Sequence, residues 1–380
     1  MNIAFLTPEF PHAKTTPTGG IGASIMNLSK GLIKLKHRVT VIVYGQDKDE
    51  FIEEKDLVIH KVKNVRFKGL SLYLTQKKIQ RLINQMYASG NLDIVEAPDW
   101  TGFTSFINLK CPLVIKLHGS DTFFCNLDNR PVKLKNKFLE MLALKKADGI
   151  IAVSQFVGDL TNEVFNLNLK FNVIPNAIDV KLFNPIKTKL NNRILYFGTL
   201  IRKKGVLELP QIFNEVHKVL PKAHLILVGK DASDIKTGSA STWQLIKDEF
   251  SENAKSQVHY KGQVPYVEIK DYINEASVCI FPSFAEALPV SWLEAMSMKK
   301  AIVASNIGWA SEIMANTVEG TLVDPKDHTA FSKAIINILN DVTLRNKLGE
   351  AAYIKVQKVF DLEIIAKKNI DFYKTLISNV

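Results

Sequence analysis

The chain has few cysteines and no long apolar run, and each shortage excludes a class of protein. Its 380 residues include three cysteines. An odd number without Cys-x-x-Cys spacing argues against a disulfide framework and against a zinc site. No run of about eighteen apolar residues is present, and the first ten residues have no basic region. We therefore expect neither a membrane span nor a secretory signal, which favours a cytoplasmic protein.

Charge of one sign is not gathered into a tail. The formal net charge is +11, and both halves of the chain contribute to the excess of Lys and Arg. Such a spread favours anionic ligands or an anionic membrane surface. Because the basic residues are not interleaved with aromatic ones, we expect no nucleic-acid partner.

Length and composition predict an ordered protein with two domains. Hydrophobic residues make up 46% and charged residues 23% of the sequence, and the length exceeds the roughly 100 to 200 residues of one domain. Short apolar runs alternate with helical patterns such as residues 21–35 and 205–220, which is typical of parallel α/β sheets. The predicted strands are residues 2–7, 38–44, 92–96, 113–117, 149–154, 171–174, 193–197, 224–229, 258–260, 278–281, 301–304 and 321–323.

A segment rich in Pro and Asn separates the two halves. Residues 175–179 read Pro-Asn-Ala-Ile-Asp, and Asn184-Pro185 and the polar residues 187–192 follow without periodicity, which indicates a linker. The predicted fold class is α/β, with doubly wound domains at residues 1–180 and 181–359. In open parallel sheets ligands bind beyond the carboxyl ends of the strands, so functional residues are expected there.

Two glycine-containing loops follow predicted strands and precede predicted helices. Residues 18–22 read Thr-Gly-Gly-Ile-Gly, and residues 198–205 read Gly-Thr-Leu-Ile-Arg-Lys-Lys-Gly. Glycine lets backbone N–H groups approach an anion, and the start of a helix adds unpaired donors. The spacing is neither GxGxxG nor Walker A. A tight turn and a solvated basic loop are therefore the alternatives to phosphate binding.

Two further strand ends carry a histidine and two glutamates. His118 follows the strand at residues 113–117, where it can offer a hydrogen bond or serve a structural role. Pro289 fits the first turn of a helix, so Glu286 is expected in the preceding loop and Glu294 on the helix. Carboxylates accept hydrogen bonds from vicinal hydroxyls, which makes a sugar or a ribose a natural partner. The alternatives are a helix-dipole pairing for Glu286 and a surface charge for Glu294.

The segment with the two glutamates resembles a known family. Residues 282–286 read Pro-Ser-Phe-Ala-Glu, and seven residues separate Glu286 from Glu294, similar to the E-x7-E segment of the retaining GT-B glycosyltransferases of family four. The resemblance covers nearly the whole chain. It implies two Rossmann-like domains facing across a cleft and a last helix, within residues 360–380, that packs back onto the first domain. Supporting matches are Gly19-Gly20, His118-Gly119, residues 175–179, Lys204-Gly205 and Glu319-Gly320.

The resemblance implies transfer of a sugar from a nucleotide-diphosphate sugar to a hydroxyl of a glycan, a lipid-linked sugar or a small molecule. The implied catalytic residues are His118, beside the transferred sugar, Glu286, on its hydroxyls, and Lys204, which holds the diphosphate with the Gly20 backbone. Glu294 would bind the ribose, and Val264 would lie at the base. The remaining implied donor-binding residues are Gly19, Gly198, Thr199, Arg202, Lys203, Ala287, Leu288, Pro289 and Val290.

Three positions depart from the family pattern, namely Thr199, where Arg is frequent, and Ala287 and Pro289, where Gly is frequent. Arg202 or Lys203 would then supply the missing charge. No carboxylate in the matched motifs stands as an evident nucleophile, so we expect a same-face attack in which the leaving phosphate takes the proton of the acceptor. We expect no cofactor and no metal. The Asp-x-Asp pattern at residues 47–49 is interpreted as a solvated loop.

The acceptor side is less specified. Its candidate residues near predicted strand ends are His12, Asp99, Trp100, Asp121 and Arg130. Residues 132–146 form a basic amphipathic stretch, with Leu134, Phe138, Met141 and Leu142 on one face. This stretch either lies on an anionic membrane or packs as an ordinary helix onto the sheet.

Three other activities share parts of this pattern. A nucleotide-sugar epimerase and a phosphorylase are the alternatives on the same fold, and a non-catalytic two-domain sugar-binding protein is the alternative from another class. An epimerase would convert the donor without an acceptor, and a phosphorylase would require free phosphate.

Overall fold

The computed structural model describes residues 1–15, 19–183, 185 and 192–378. The chain divides into two compact units, Met1–Ile178 together with Phe360–Val380, and Asp179–Val359. The first crossing lies two residues before the boundary predicted after residue 180. Thr18 of the first glycine loop and Asn184 and residues 187–191 of the predicted linker lie outside the described residues.

The first unit is built on an eight-stranded sheet. Its strands are β1 (Asn2–Thr7), β2 (Arg38–Gln46), β3 (Glu50–Glu54), β4 (Leu57–Lys63), β5 (Ile94–Pro98), β6 (Leu113–Leu117), β7 (Gly149–Ala152) and β8 (Asn172–Val173). The order is β3-β4-β2-β1-β5-β6-β7-β8. Every neighbouring pair is parallel except β3 with β4. The six strands predicted in this half are confirmed, with shifts of one or two residues at several ends.

The antiparallel pair of β3 and β4 was missed by the sequence analysis. In β3 only Ile52 is buried, and three of its five residues are glutamates. A short, charged edge strand of this kind resists pairing with other chains, but it carries almost no apolar pattern. Its place in the sheet depends on its register with β4, in which Ile52 lies opposite Ile59.

Five helices flank this sheet. They are α1 (Gly20–Lys34), α2 (Ser71–Ala88), α3 (Asp121–Leu127), α4 (Leu134–Lys146) and α5 (Gln155–Phe165). The predicted inner face of α1 is confirmed, because Ile25, Leu28 and Leu32 are buried in one core with residues of β1 and β2.

The second unit has a six-stranded parallel sheet. Its strands are β9 (Arg193–Phe197), β10 (His224–Val228), β11 (Val258–Tyr260), β12 (Val278–Phe281), β13 (Ala301–Ser305) and β14 (Thr321–Val323). The order is β11-β10-β9-β12-β13-β14, and all six strands were predicted. The helices are α6 (Leu209–Val219), α7 (Thr242–Ile246), α8 (Glu252–Lys255), α9 (Ile269–Glu275), α10 (Val290–Ser297), α11 (Ala310–Ile313), α12 (His328–Asn340) and α13 (Val342–Val359).

The last helix, α14 (Leu362–Ile377), belongs to the first unit. A side chain at Gly31 of α1 would come within 2.5 Å of the Leu362 carbonyl oxygen, so glycine permits the close packing of the two helices. The Tyr373 hydroxyl donates a hydrogen bond of 2.5 Å to the buried Glu96 carboxylate of β5.

The chain leaves the first unit and returns to it at adjacent points. The Ile178 N–H donates to the Phe360 carbonyl at 2.9 Å, and the Leu362 N–H donates to the Ile178 carbonyl at 3.1 Å. In the described part of the chain, no helix is both long enough and apolar enough to cross a bilayer.

Candidate functional site

In the second unit, the loop after β9 packs closely against the loop after β12. A side chain at Gly205 would lie 1.7 Å from the Pro282 carbonyl oxygen, and Gly205 has a φ of +66°. The Phe284 and Ala285 N–H groups both donate to the Lys203 carbonyl, at 2.8 and 3.2 Å. The two segments that the sequence placed at strand ends therefore lie side by side.

This packing joins two of the predicted site residues. Lys204 Nζ lies 2.8 Å from Glu286 Oε1, and the Ser283 hydroxyl donates to the same oxygen at 3.2 Å. Both charged side chains are largely buried, with 22% and 11% of their surfaces exposed. A carbon added to Gly198, which has a φ of +141°, would lie 3.9 Å from Lys204 Nζ. The ammonium group thus lies beside the glycine backbone at the carboxyl end of β9.

Glu294 is also placed as the sequence predicted, on α10 after a loop that contains Glu286. Pro289 is the residue before the first helical position rather than within the first turn. Glu294 is 5% exposed, and burial raises the pKa of its carboxyl to about 7, although Tyr266 and Lys204 act in the opposite direction. The Tyr266 hydroxyl donates to Glu294 Oε1 at 2.7 Å.

Tyr266 is a residue that the sequence analysis missed. It follows Pro265 and begins a short 3-10 turn, Tyr266–Glu268, close in sequence to the predicted base contact at Val264. The ring contacts the buried Phe183, with centroids 6.0 Å apart. No pattern of spacing marks a single tyrosine as the partner of a carboxylate 28 residues away.

Arg202, one of the two residues expected to replace the arginine absent at Thr199, is engaged with a carboxylate. Its Nε and Nη2 donate to the two oxygens of Asp234 at 2.8 and 2.7 Å. This guanidinium holds the pKa of Asp234 well below its usual range. The Thr199 carbonyl accepts a hydrogen bond of 2.9 Å from the Tyr196 hydroxyl.

Of the other predicted donor residues, Ala287, Leu288 and Val290 lie beside Glu286, whereas Val264 lies after β11. Ala287 and Leu288 are buried between Glu286 and the start of α10 at Val290. Val264 follows Gly262, which has a φ of +72° and whose carbonyl accepts from the Gly229 N–H at 2.8 Å.

In the first unit, the glycine loop before α1 is capped by an acidic residue that the sequence analysis did not single out. The Glu9 carboxylate accepts hydrogen bonds of 2.8 Å from both the Gly19 and the Gly22 N–H groups. Gly19 is the N-cap of α1 and has no side chain to cap the helix. A distant carboxylate therefore satisfies these donors and complements the helix dipole. A side chain at Gly20 would meet no atom within 4 Å.

His118 lies at the end of β6 beside Asp99. The His118 N–H donates to Asp99 Oδ1 at 3.0 Å, so this candidate for acceptor binding supports the histidine loop. Burial raises the pKa of Asp99 to about 8. Burial and the nearby Lys116 lower the pKa of His118 to about 3, which keeps the imidazole neutral.

The remaining acceptor candidates occupy three places. Trp100 begins the 3-10 turn Trp100–Gly102 after Asp99. Asp121 begins α3 and lies 3.6 Å from Arg130, which also contacts Asp128. His12 instead pairs with Glu54 of β3 at 3.0 Å. The structure therefore brings Asp99 to His118 and Asp121 to Arg130, whereas His12 lies against β3.

The apolar face predicted within residues 132–146 is not the face that α4 buries. The buried apolar residues are Leu139, Ala143 and Leu144, whereas Leu134 is 82% and Phe138 51% exposed. The helix packs against the turn at residues 100–102, where a side chain on Gly102 would come within 2.2 Å of the Leu139 backbone. Contact with this turn, which the sequence could not place, sets the rotation of the helix.

Both aspartates of the Asp-x-Asp pattern at residues 47–49 form ion pairs with lysines. Asp47 lies 3.0 Å from Lys61, and Asp49 lies 2.6 Å from Lys78. Among residues 1–15, 19–183, 185 and 192–378, no group of three or more His, Cys, Asp or Glu side chains is arranged to hold a metal ion.

Comparisons with known proteins match both units. Residues 18–182 match the family described as Glycosyltransferase Family 4, and residues 181–355 match Glycosyl transferases group 1. An uncharacterized glycosyltransferase of Methanocaldococcus jannaschii is 24% identical over 98% of each chain. The glycogen synthase of Mycobacterium tuberculosis is 22% identical over 98% of this chain and 94% of its own.

Solved structures share the fold. Sucrose-phosphate synthase from Thermosynechococcus elongatus superposes with a TM-score of 0.79 at 19% identity, over the full length of both chains. Anabaena HepE in complex with UDP superposes with a TM-score of 0.71 at 18% identity, over 99% of this chain and 100% of its own. The fold is therefore GT-B, with two Rossmann-like α/β units. The chain is a glycosyltransferase, and its two halves belong to Glycosyltransferase Family 4 and to the Glycosyl transferases group 1.

Proposed function

We propose that this glycosyltransferase moves a hexosyl group from a nucleoside-diphosphate sugar to an acceptor hydroxyl, with retention of configuration and without a metal. The observation that carries the proposal is the grouping of Lys204 and Glu286, in the loops after β9 and β12, with Glu294 of α10. One ammonium and two carboxylates suit a diphosphate and the hydroxyls of two attached sugars. The related HepE structures contain UDP, UDP-glucose and glucose.

Lys204 would stabilise the departing diphosphate. The bond between the anomeric carbon and the phosphate oxygen breaks, and negative charge grows on the leaving group. A fixed cation and backbone N–H groups near Gly198 can neutralise this charge without reorganisation. Glu286 pairs with Lys204. The diphosphate would share the ammonium with Glu286, and this carboxylate would accept bonds from the sugar hydroxyls.

The acceptor hydroxyl would attack the anomeric carbon on the same face from which the leaving group departs. The new bond joins the acceptor oxygen to the anomeric carbon, and the proton of the acceptor passes to the leaving phosphate oxygen. His118, whose low pKa keeps it neutral, can donate a hydrogen bond to the sugar but not serve as a cationic acid near neutral pH. Asp99 would hold the His118 loop in place through its backbone bond.

A thermal-shift panel with UDP, GDP, ADP and their hexose conjugates tests donor binding. A ligand at about 100 times its Kd stabilises the folded protein by about 2.7 kcal/mol, so the preferred series will raise the Tm most. NMR of the product then gives its anomeric configuration. An inverted centre, or activity that chelation abolishes and Mn²⁺ restores, would contradict the mechanism. Turnover without an acceptor, or only with free phosphate, would indicate the epimerase or the phosphorylase.

We also propose a peripheral contact of the first unit with anionic membrane, which would bring the enzyme to a lipid-linked acceptor. Residues 63–77 contain four Lys or Arg and no Asp or Glu. In this segment Phe67, Leu70 and Tyr73 are 57%, 49% and 44% exposed. Exposed apolar side chains among cations suit the headgroup region of a bilayer. We expect the protein to co-sediment with vesicles that contain phosphatidylglycerol and not with neutral vesicles.

A further inference from the structure

A hydrogen bond joins the surface turn at Tyr266 to the buried carboxylate of Glu294. Tyr266 is 40% exposed, whereas Glu294 is 5% exposed. The phenol ring is therefore partly at the surface, and its hydroxyl reaches an interior oxygen at 2.7 Å. The ring also packs edge-on against the buried Phe183, with an interplanar angle of 73°. Tyr266 is thus held at its hydroxyl and at its ring.

The carboxylate can serve Tyr266 and a ligand together. An ionised carboxylate offers about four acceptor sites on its two oxygens. Tyr266 occupies one of them on Oε1. The other sites are sufficient for two vicinal hydroxyls, which need two acceptor positions.

Burial acts against the ionised form that this recognition needs. It raises the pKa of Glu294 to about 7, and the hydrogen bond from Tyr266 and the charge of Lys204 act to lower it. A hydroxyl that donates to a carboxylate favours the charged state. Loss of the Tyr266 hydroxyl would therefore leave Glu294 protonated over more of the neutral range. Burial raises the pKa of the Tyr266 phenol, and the carboxylates of Glu294 and Asp179 add to this shift.

We propose that Tyr266 is a positioning residue of the nucleoside site, whose hydroxyl orients the Glu294 carboxylate to accept both vicinal hydroxyls of the donor ribose. The proposal rests on the proposed function, and it assigns to Tyr266 the selection of ribonucleotides over deoxyribonucleotides. Tyr266 acts through Glu294 and takes no part in the bond that breaks.

The test compares Tyr266→Phe with the unchanged protein by calorimetric titration of UDP and of 2′,3′-dideoxy-UDP at pH 7.5 and pH 8.5, where Glu294 of the unchanged protein, with a pKa of about 7, is mostly ionised. The unchanged protein is expected to bind UDP at least about tenfold more tightly than the dideoxy form, since hydrogen bonds to a charged group are lost. At pH 7.5, Tyr266→Phe should lose most of this preference and bind the dideoxy form almost normally. At pH 8.5, part of the preference should return as Glu294 ionises.

Tyr272→Phe is the matched control, because it removes a phenol hydroxyl from α9 of the same unit, and it should keep the full preference. If Tyr266→Phe lost affinity equally for both nucleotides, or kept the preference for UDP over the dideoxy form, the positioning role of Tyr266 would be overturned. The proposed function would not be affected. If UDP does not bind, GDP and ADP with their dideoxy forms replace it. Failure of the unchanged protein to bind any of the three would overturn the proposed function as well.

Discussion

The glycine loop after the first strand has a different charge in the two units. In the first unit, the carboxylate of Glu9 accepts two backbone N–H bonds at the start of α1. In the second unit, the loop after β9 ends in a cation, Lys204, which pairs with a carboxylate of the neighbouring loop. The same strand–loop–helix plan thus gives a loop closed by an internal anion and a loop that presents a positive charge.

The difference shows that topology locates a loop but does not decide its charge. In the loop of the second unit, Gly198 and Gly205 have positive φ angles that would strain other residues, whereas a side chain at Gly20 of the first unit would meet no atom within 4 Å. In the first unit the charge comes from Glu9, which lies outside the glycine loop. In the second unit it comes from Lys204 of the loop itself, which pairs with Glu286 of the loop after β12. A substitution in each charge set therefore tests whether the two loops have different roles.

The largest effect is expected from Lys204→Ala. If Lys204 stabilises the leaving diphosphate, kcat should fall by about 10² to 10³, the usual cost of removing one preorganised charge donor. Initial rates with saturating donor measure the change, and Lys222→Ala, an exposed lysine of the same unit, is the control. Equal rates for the two variants would show that Lys204 does not contribute to catalysis.

Glu294→Gln is expected to stabilise the protein at high pH. The pKa of Glu294 is raised in the folded state from 4.5 to about 7, so the unfolded chain loses this proton first. The free energy of unfolding should then decrease as the pH rises from 4.5 to 7, and Gln removes that loss.

Urea unfolding should show a gain of up to about 3 kcal/mol for Glu294→Gln at pH 8 and almost none at pH 4. The exposed Glu249→Gln should show neither. A gain that is equal at both pH values would show that charge is not the cause.

A smaller effect is expected from Glu9→Gln in the first unit. The amide nitrogen of Gln cannot accept a backbone N–H bond, so one of the two caps of α1 is lost, together with the charge at the helix start. The free energy of unfolding should decrease by about 1 kcal/mol, as measured by urea unfolding at pH 7. Glu53→Gln on the exposed side of β3 should leave it unchanged, and an equal loss in both variants would exclude the capping role.

The smallest effect is expected from Arg202→Lys. Arg202 makes a two-point contact with Asp234 that Lys cannot reproduce. We expect a loss of about 0.5–1 kcal/mol in the free energy of unfolding, since the guanidinium is partly exposed. The affinity for the nucleoside diphosphate should change less than about twofold. A tenfold weaker nucleotide Kd would instead place Arg202 at the donor, as the missing arginine at Thr199 suggested.

The regular part of both sheets could be predicted from the sequence, and the irregular part could not. The central strands are buried on both faces and appear as apolar runs between turns. The edge strand β3 lacks such a run, and the rotation of α4 depends on its contact with Gly102. These features arise from contacts between distant segments, which no local period records.

The candidate site was predictable to a similar extent. Glu286, Glu294 and Lys204 stand at strand ends, and the structure joins the lysine to the first glutamate. Glu9 and Tyr266 went unnoticed because their partners are respectively a set of backbone N–H groups and a buried carboxylate. The sequence held one signal for Glu9. Gly19 stands where Ser, Thr, Asp or Asn usually caps a helix, so another residue has to accept the backbone N–H bonds at the start of α1.

The hydrogen bonds between Ile178 and the segment from Phe360 to Leu362 make the second unit an insertion in the first. Its two connections run side by side, so the ends of the intervening chain start and finish a short distance apart. A turn of a few residues could replace everything between them and leave α14 in its place beside α1. The protein is in this sense one α/β domain with a second α/β domain inserted in its chain.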